Sequence, residues 1–563
     1  MQIGIAGSGP AAESVRAALD DIDATATAAA PGELGSHPLG VVIAPAGAPA
    51  FEAADGVATR WLAVEIGGLG GTPFPGLDAA VTTFADGVGY RDLRERVASA
   101  ADDDATDGSP SGNRSAVRLA GAVAGRRAVS LLSGADLAGT VVEVPGGERR
   151  VLPVPRPDDR DRDLRDTHRE ASLDDAIDRA ERAVDDRVGL LTQVGERDSF
   201  PAPYYLAASA DTTVYSDARA AAYAAGVDDD WDRAFMKALG EGLERYCAGV
   251  YRTAAFEEAS PAARDRSVPP AVFVRPEGRT VDPSTPIPWV AGENLRTGEA
   301  VALPAEFVHY PPPTARHRPA ITTGLGLGNA GVEALRSGLY EVIERDAAML
   351  AWYSTYEPLG LSVDDEGFDA LVARARAVGL SVTPSLITAD VDVPVVAVAV
   401  HREGAWPRFA LGSGADLDAR AAARSALAEA LQNWMELRTM GPEAAREEEG
   451  AIGRYADRPT ATAEFTTPDD GVPAASVGPE ATPTGEGELD AVVERAADAD
   501  LSVYGARITT PDVAALGFEA VRVLSPEAQP LFVDEPYFGD RAETVPVDLG
   551  YEPRLDRQFH PYP

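Results

Sequence analysis

Apolar positions follow two periods along this chain. In the first hundred residues, buried-strand runs (MQIGIAG at the start, PLGVVIAP at 38–45, RWLAVEIG at 60–67) alternate with helical stretches, the first from Ala11 to about Leu19. That alternation predicts an α/β unit. After Ser172 the pattern becomes mixed, with helices predicted at 173–186, 231–251, 331–353, 366–378, 417–438 and 489–498 and strands between them. On the 331–353 helix, Leu335, Leu339, Val342, Met349 and Leu350 share one side, while Asn329, Glu333, Ser337, Glu341 and Glu344 form a polar stripe. Two strand-like segments, LSVTPSLIT at 380–388 and LSVYGARIT at 501–509, echo each other after a helix, which points to two related halves. The longest apolar runs, such as VPVVAVAV at 393–400, have strand length and fall short of the ~18 residues of a membrane helix. No signal peptide is legible at the start, so a cytoplasmic, non-membrane protein is expected.

Breaks in the pattern divide the chain. Residues 102–115 (DDDATDGSPSGNRS) read as a flexible loop, 156–171 as a charged linker, and 441–488 as an acidic insertion rich in Pro, Thr and Ala. The expected domains are therefore 1–155 and 172–563. In the first, Gly7-Ser8-Gly9-Pro10-Ala11-Ala12 between strand and helix matches GxGxxA, the turn that lets backbone approach a pyrophosphate. The stretch after it, DDIDATATAAAP, offers no strand ending in a well-placed acid for a ribose. The reading is a degenerate Rossmann-like domain used for packing or peptide binding, with a working dinucleotide site as the alternative.

Composition narrows the chemistry. The 563 residues carry 90 acidic against 50 basic side chains, a formal charge of -40, which disfavours binding to nucleic acid or anionic membrane. Lys237 is the only lysine, in AFMKALG, so a P-loop, a kinase strand lysine and a pyridoxal lysine are all excluded. Abundant carboxylates with almost no lysine is the balance of a halophile's cytosol, where molar salt screens self-repulsion. Cys247 is the sole cysteine, in an apolar stretch, and leaves no disulfide and no Cys-based zinc site.

The candidate chemistry lies on three helices. ExxER occurs twice, as Glu241, Glu244 and Arg245 and again as Glu341, Glu344 and Arg345. Each pair of glutamates shares a helix face and repels unless a cation lies between them, and hard oxygen ligands of this kind suit magnesium. Spacing alone is met equally by a solvated face in an acidic protein; the recurrence argues for a site, as does a third helix with Arg424, Glu429 and Gln432.

These residues resemble the YcaO family, ATP-using enzymes that activate peptide backbone amides. The likeness covers about residues 172–563 and is carried by ALGEGLERYCAG, GLGLGNAGVEAL and GLYEVIERDA. It implies that Glu241, Glu244, Glu341 and Glu344 hold magnesium, that Arg345 neutralises phosphate oxygens, and that Asn329 and Glu333 contact nucleotide. Arg245, Arg424, Glu429, Gln432 and Arg522 are further nucleotide-binding candidates. Lys237 stands where the family usually has Ser and Gly240 where an Arg can precede the first Glu; a phosphate-facing Lys237 would replace the lost Arg. Asn433 and Trp434 stand where an Arg usually follows the Gln. The segment Phe559-His560-Pro561-Tyr562-Pro563 is similar to the PxPxP tail of azoline-forming members, with Pro561 and Pro563 present and His560 a candidate proton carrier. The first domain resembles, more loosely, the degenerate ubiquitin-activating-enzyme-like (ThiF-like) domains that accompany such cyclodehydratases; here it is a scaffold or leader-docking module without zinc. The implied activity is formation of azolines from Cys, Ser or Thr of a ribosomal peptide or protein. The alternatives are thioamide or amidine formation with a partner protein, possession of a separate leader-binding or sulfur-donating partner, and a non-catalytic ATP- or peptide-binding scaffold. The family also implies a homodimer.

Overall fold

The computed structural model describes residues 2–22, 24–85, 87–101, 109–156, 161–165, 167–447 and 452–563. The chain forms two compact units. The first comprises Met1–Arg156, Glu181–Gln193 and Ser209–Ser216, and the second Pro157–Ala180, Val194–Ala208 and Asp217–Pro563.

Unit 1 contains, in order, β1 (Gln2–Ala6), α1 (Pro10–Asp20), β2 (Thr25–Ala28), β3 (Gly40–Pro45), α2 (Ala50–Asp55), β4 (Trp61–Ile66), and the two-residue strands β5 (Gly68–Leu69) and β6 (Thr72–Pro73). It continues with β7 (Ala79–Phe84), α3 (Tyr90–Ala100), α4 (Arg114–Leu132), β8 (Thr140–Val144) and β9 (Glu148–Arg150). Seven strands form one sheet in the order β2-β1-β3-β4-β7-β8-β9, parallel through β4 and antiparallel beyond it. Both faces are covered: Ala11, Val15 and Leu19 of α1 with Ala120, Ala124 and Ala128 of α4 on one, Phe51 of α2 and Tyr90, Leu93 and Val97 of α3 on the other. Double coverage is why its strands read as continuous apolar runs.

The β1–α1 turn needs its first glycine. Gly7 has φ 130°, and a Cβ there would lie 2.5 Å from the carbonyl oxygen of Ile43. Strand β2 was not anticipated; its sequence TATA is small, polar and at a sheet edge, and pairing with β1 rather than hydrophobicity makes it a strand. It ends at Ala28 and is followed by Ala29, Ala30 and Pro31, so no carboxylate stands at its end. Of the 102–115 loop, residues 102–108 lie outside the described residues; α4 begins at Arg114, capped by the Asn113 side chain.

Glu65, on β4, is a fully buried acid of this unit's sheet. Its carboxylate accepts from Gly70 N (2.7 Å), Gly71 N (2.9 Å) and the Tyr90 hydroxyl (2.8 Å), tying together the turn after β5 and the start of α3. Burial nevertheless outweighs those donors and pushes its pKa up to about 7. The folded carboxyl therefore holds its proton where the unfolded one, near 4.5, releases it. This contribution to stability is complete below about pH 4.5 and is lost as pH rises through 7, by roughly 3 kcal/mol. In Glu65→Gln, denaturation at constant molar salt should show a flatter fall of stability between pH 5 and 7.5 than wild type. Identical slopes would refute the assignment.

Unit 2 begins with α5 (Leu173–Ala180), and continues past β10 (Leu191–Asp198) with β11 (Tyr204–Ser209), β12 (Tyr223–Val227), α6 (Trp231–Gly249), β13 (Glu257–Ala259), β14 (Ile287–Asn294), β15 (Ala300–Pro304) and α7 (Ala305–Val308). Its middle is β16 (Leu325–Gly328), α8 (Gly331–Trp352), β17 (Leu359–Ser362), α9 (Glu366–Ala377), β18 (Ser381–Leu386), β19 (Val395–His401), β20 (Phe409–Ala415) and α10 (Ala419–Met440). The remainder is α11 (Ile452–Tyr455), α12 (Ala463–Thr466), β21 (Asp469–Pro473), α13 (Glu486–Asp498), β22 (Tyr504–Arg507), α14 (Pro511–Ala515), β23 (Glu519–Leu524) and α15 (Arg541–Asp548). Strands β11 and β12 pair antiparallel. One sheet runs β13-β14-β22-β23-β16 with β15 against β14, and another β20-β19-β18-β17-β21. The protein is thus a mixed α/β molecule with several sheets.

Helix α8 is central rather than superficial. Its apolar residues pack with Val395, Ala397 and Ala399 of β19 and with Val521 and Val523 of β23, so it is held between two sheets. Helix α10 covers the opposite face of the β19 sheet, against Val396, Val398 and Val400. Of the polar stripe of α8, Ser337 is exposed while Asn329, Glu333, Glu341 and Glu344 are partly buried, where each charge needs a partner.

The two echoed segments end their preceding helices alike. Gly379 and Asp500 have φ of 78° and 58°, and Leu380 N and Leu501 N each donate 3.0 Å to the carbonyls of Ala375 and Ala496. The 441–488 stretch is more ordered than its composition predicts. Strand β21 within it lies parallel to β17, and Tyr455 and Phe465 pack on Trp352. Partners distant in sequence supply this order, so no local period announces it; residues 448–451 lie outside the described residues. No helix among the described residues is long and apolar enough to cross a membrane.

Candidate active site

Three strand-then-helix pairs build the site, and each uses the same device. In β12, β16 and β20 a glycine lies directly against the backbone of the following helix. A Cβ on Gly226 would meet Ala234 O at 2.2 Å and Ala238 N at 2.3 Å, one on Gly326 would meet Ala334 O at 2.2 Å and Gly338 N at 3.0 Å, and one on Gly414 would meet Ala422 O at 2.5 Å and Ala426 N at 3.2 Å. Three residues beyond each second contact stands a glutamate: Glu241, Glu341 and Glu429. All three accept a backbone N–H from the strand side, Ala225 N (3.1 Å), Gly324 N (2.9 Å) and Ser413 N (2.6 Å). Another three residues on come Glu244, Glu344 and Gln432. The shared pattern, small-x3-small-x2-Glu-x2-Glu/Gln, is legible in the sequence at 234–244, 334–344 and 422–432.

Guanidinium groups alternate with these carboxylates. Arg245 lies 3.1 Å from Glu241 and 3.2 Å from Glu244, and Arg345 lies 3.2 Å from Glu429 and 3.6 Å from Glu344. Burial pushes Glu244 up to about 7 against the pull of Arg245, with Glu241 and Glu341 adding repulsion. Burial likewise pushes Glu344 up to about 7, with Glu429 and Glu341 repelling it and Arg345 and the Ser413 hydroxyl, 2.6 Å from its Oε1, opposing. The site carries more mutually repelling negative charge than its arginines satisfy, and a divalent cation would relieve that. At the same time Arg345 Nη1 is buried with neither a hydrogen bond nor an ion pair and retains a donor for an added oxygen anion, whereas Arg245 Nη1 lies 3.2 Å from Glu244 in an ion pair without hydrogen-bond geometry.

This donor set fits a magnesium-bound polyphosphate. Among the described residues, no three carboxylates, imidazoles or thiols gather closely enough to hold an ion alone. Phosphate oxygens and water would complete the shell, as magnesium commonly requires.

The remaining sequence candidates fall in distinct places. Glu333 accepts from Asn329 N at 2.8 Å, and the Asn329 side-chain oxygen accepts from Arg179. Lys237, half exposed and one turn before Glu241, is anchored to Asp228 at 2.6 Å and to Val227 O at 3.2 Å. Arg424 pairs with Asp365 at 2.8 Å near the start of α9, away from the alternating chain of glutamates and arginines. Arg522 is fully buried and donates to Ile321 O and Thr322 O, both at 2.9 Å; burial, then Arg318 and Arg245, push its pKa down to about 9. Gln432 donates to Glu436, which also accepts from the Tyr204 hydroxyl. Ser413 and Glu436 were not singled out from the sequence: Ser413 is one serine among many, and only its pairing with Glu344 and Glu429 marks it.

The 559–563 segment is packed, not frayed. His560 is 1% exposed, and its Nε2 donates 2.7 Å to Phe532 O, which leaves Nδ1 as an unpartnered acceptor. Burial, with Arg345 adding repulsion, pushes its pKa down to about 4, so it is a neutral imidazole at pH 7. Pro561 is buried and Pro563 half-buried around Tyr562, whose pKa burial raises and whose hydroxyl lacks a partner.

Residues 225–529, more than half of the chain, match the family model described as YcaO cyclodehydratase, ATP- and Mg2+-binding. The chain belongs to the YcaO family. The matched span contains all three glutamate-bearing helices and the glycines on which they seat, and binding of ATP and Mg2+ is the family's property. Among relatives, a protein of Methanothermobacter thermautotrophicus is 33% identical over 214 residues, 36% of this chain and 54% of that one. A protein encoded in the tfuA 3′ region of Rhizobium leguminosarum bv. trifolii is 28% identical over 168 residues, 27% of this chain and 39% of that one. The chain thus spans about half the length, or less, of these relatives. Among solved structures, YcaO from Methanopyrus kandleri bound with AMPPCP and Mg2+ has 25% identity and a TM-score of 0.51 over 63% of this chain and 91% of that one. A heterocyclase in complex with substrate and cofactor superposes over the whole chain and 85% of its own, with a TM-score of 0.75 and 18% identity. The heterocyclase TruD does so with a TM-score of 0.66, 17% identity and 84% of its length. These last two likenesses establish the heterocyclase fold.

Proposed function

We propose that this YcaO protein phosphorylates a peptide backbone amide with ATP and Mg2+, forming azolines from Cys, Ser or Thr of a ribosomal peptide or protein. The observation that carries this reading is the partly buried alternation of Glu241, Arg245, Glu244, Glu341, Glu344, Arg345 and Glu429, with repelling carboxylates and one guanidinium donor, Arg345 Nη1, left over. Mg·ATP, when bound, supplies the phosphoryl group that makes the amide oxygen a leaving group, so that attack of the side chain on the amide carbon ends in loss of phosphate. Glu241, Glu244, Glu341 and Glu344 hold the magnesium. Arg345 takes a phosphate oxygen on its unbonded Nη1 and Arg245 adds positive charge beside it, and Asn329 and Glu333 contact the nucleotide, as do Glu429 and Gln432. Lys237, Arg424 and Arg522 act at the margins of that site through their ion pairs and backbone bonds. No residue needs to be a nucleophile, which suits a site without lysine or cysteine; positioning and charge neutralisation carry the catalysis.

His560, Pro561 and Pro563 line the peptide side of the site, with His560 Nδ1 a neutral acceptor for the proton of the attacking side chain. The 1–155 region, the greater part of unit 1, is a degenerate Rossmann-like, ThiF-like scaffold or leader-docking domain, joined by the 156–171 linker to a catalytic domain of 172–563 that lends unit 1 Glu181–Gln193 and Ser209–Ser216. The matching ends of α9 and α13 support two related halves in that domain. The protein acts in a halophile's cytoplasm, as a homodimer, on a peptide substrate.

The test is phosphate release in molar potassium chloride with a panel of Cys-, Ser- and Thr-containing peptides. The expected result is peptide-dependent phosphate accompanied by loss of one water from the peptide. ATP binding with no peptide-dependent release from any peptide, including peptides encoded near the protein's own gene, would favour the scaffold instead.

A further inference from the structure

Arg318 is a buried cation whose favourable neighbours, Tyr537 and Glu306, act only at a distance. Its residue is 7% exposed, and among the described residues it has neither a hydrogen bond nor an ion pair. Its guanidinium lies over the ring of Phe307 at 4.6 Å and near that of Phe273 at 5.8 Å. Stacking orients the fork but leaves its in-plane N–H donors unused. Glu306, the nearest candidate counter-charge, is engaged by His317 through both carboxylate oxygens, at 2.6 Å and 2.7 Å. The second arginine, Arg522, adds repulsion, and burial depresses the pKa of Arg318 itself. A guanidinium in this position costs stability unless a further acceptor arrives.

The same side chain lines a cavity with Arg345, Thr323, Ser525 and Gln529. The cavity has about 20 Å³ of room, enough for a water-sized oxygen and too little for a whole phosphate. Arg345 also has a buried donor without a partner. Two guanidinium groups, both with unused donors, therefore border one oxygen-sized space against α8, and one of them, Arg345, reaches Glu344 at 3.6 Å. Gln529 adds nothing to it, since its amide already bonds Pro530 O, Tyr537 O and Gly539 N.

We propose that Arg318 and Arg345 form a subsite for an outer oxygen of the nucleotide's terminal phosphoryl group, the one that is transferred. This rests on the reading of α8 as the nucleotide site and adds a residue outside all three glutamate motifs. The subsite distinguishes ATP from ADP: the diphosphate has no oxygen that reaches it. Its emptiness after phosphate leaves restores the unpaired, repelling state of Arg318, which favours release of phosphate over rebinding.

The experiment is calorimetric titration of the full chain, in molar potassium chloride with magnesium, using AMPPCP and ADP as the two probes. Wild type is compared with Arg318→Gln and Arg318→Lys. The expected result is an affinity for AMPPCP at least about tenfold lower in Arg318→Gln with ADP affinity within about twofold of wild type, and a smaller AMPPCP-selective loss in Arg318→Lys. Preserved ADP binding shows that the fold is intact. Should Arg318→Gln fail to fold, the Arg318→Lys pair of titrations decides alone. Equal losses for AMPPCP and ADP, or no loss for either, would overturn the subsite. Failure of wild type to bind AMPPCP at all would instead strike the nucleotide reading of α8.

Discussion

Glu344→Gln should lower the affinity for Mg·ATP at least tenfold, about 1.4 kcal/mol or more, and abolish peptide-dependent phosphate release. The substitution keeps shape and keeps an oxygen for the Ser413 hydroxyl, so what it removes is charge. That charge is expensive in the empty site. Burial, with Glu429 and Glu341 repelling it, pushes the Glu344 pKa up to about 7, so that ionising it at pH 8 costs more in the fold than in the unfolded chain. A neutral amide escapes this repulsion, so the ligand-free variant should be at least as stable as wild type at pH 8. Denaturation midpoint and ligand affinity are thus expected to move in opposite directions, or the first not to fall. Magnesium has the opposite preference, because the ion offsets the desolvation of a carboxylate and gains little from an amide. Calorimetry at fixed magnesium checks the first arm and denaturation in the same buffer the second. Unchanged affinity in Glu344→Gln would show that the nucleotide does not engage the α8 carboxylates.

Gly326→Ala should destabilise unit 2 at the seat of its central helix. The added carbon would sit 2.2 Å from Ala334 O and 3.0 Å from Gly338 N, and both atoms belong to helix backbone that cannot rotate aside. Helix α8 must then lift off β16, at a cost of about 1–3 kcal/mol by analogy with overpacked cores. The lift also draws Glu341 away from Gly324 N, so Mg·ATP affinity should fall with stability. Gly240→Ala is the contrasting control. Gly240 is inside α6, and a Cβ there would meet only Leu327 Cδ2 at 3.7 Å, an ordinary contact. It should stabilise unit 2 by up to about 1 kcal/mol through helix propensity. Denaturation of the two variants side by side separates close backbone packing from a generic glycine effect. Equal midpoints would mean that the glycine in β16 is not what seats the helix.

The parts of the molecule that declared themselves early share a local cause. Helices at 231–249, 331–352, 366–377 and 419–440 match the ranges read from periodicity because each repeats one apolar face for three or more turns. Buried strands 40–45 and 61–66 match because coverage on both faces leaves continuous apolar runs. The elements that did not declare themselves depend on distant partners. Strand β2 exists because β1 pairs with it, and β21 because β17 does. Helix α5 is shorter than the predicted 173–186, ending at Ala180, since the chain beyond it turns through a 3-10 segment at Glu181–Ala183 into unit 1.

The candidate site divides in the same way. The repeated glutamates were visible as spacing, and spacing places Glu341 and Glu344 on one face whatever the helix touches. Which charges meet was not visible. Arg345 neighbours Glu344 in sequence yet reaches 3.2 Å to Glu429 on another helix, and Arg424, on that same third helix, turns to Asp365 instead. Arg318 carries no motif at all and stands out only once Phe307, Arg522 and the small cavity surround it.

By itself, then, the order of amino acids determined the helices, the face on which each carries its carboxylates, and the class of ligand that such hard, anionic groups suit. Those properties depend on contacts within a few turns of one segment. Tertiary structure alone decided that Glu341 and Glu344 of the α8 stripe are drawn out of solvent, that three helices seat on glycines at matching depth, and that Arg345 retains an unused donor. Burial sets the cost of each charge, and burial is a property of what surrounds a residue rather than of the residue or its neighbours in the chain.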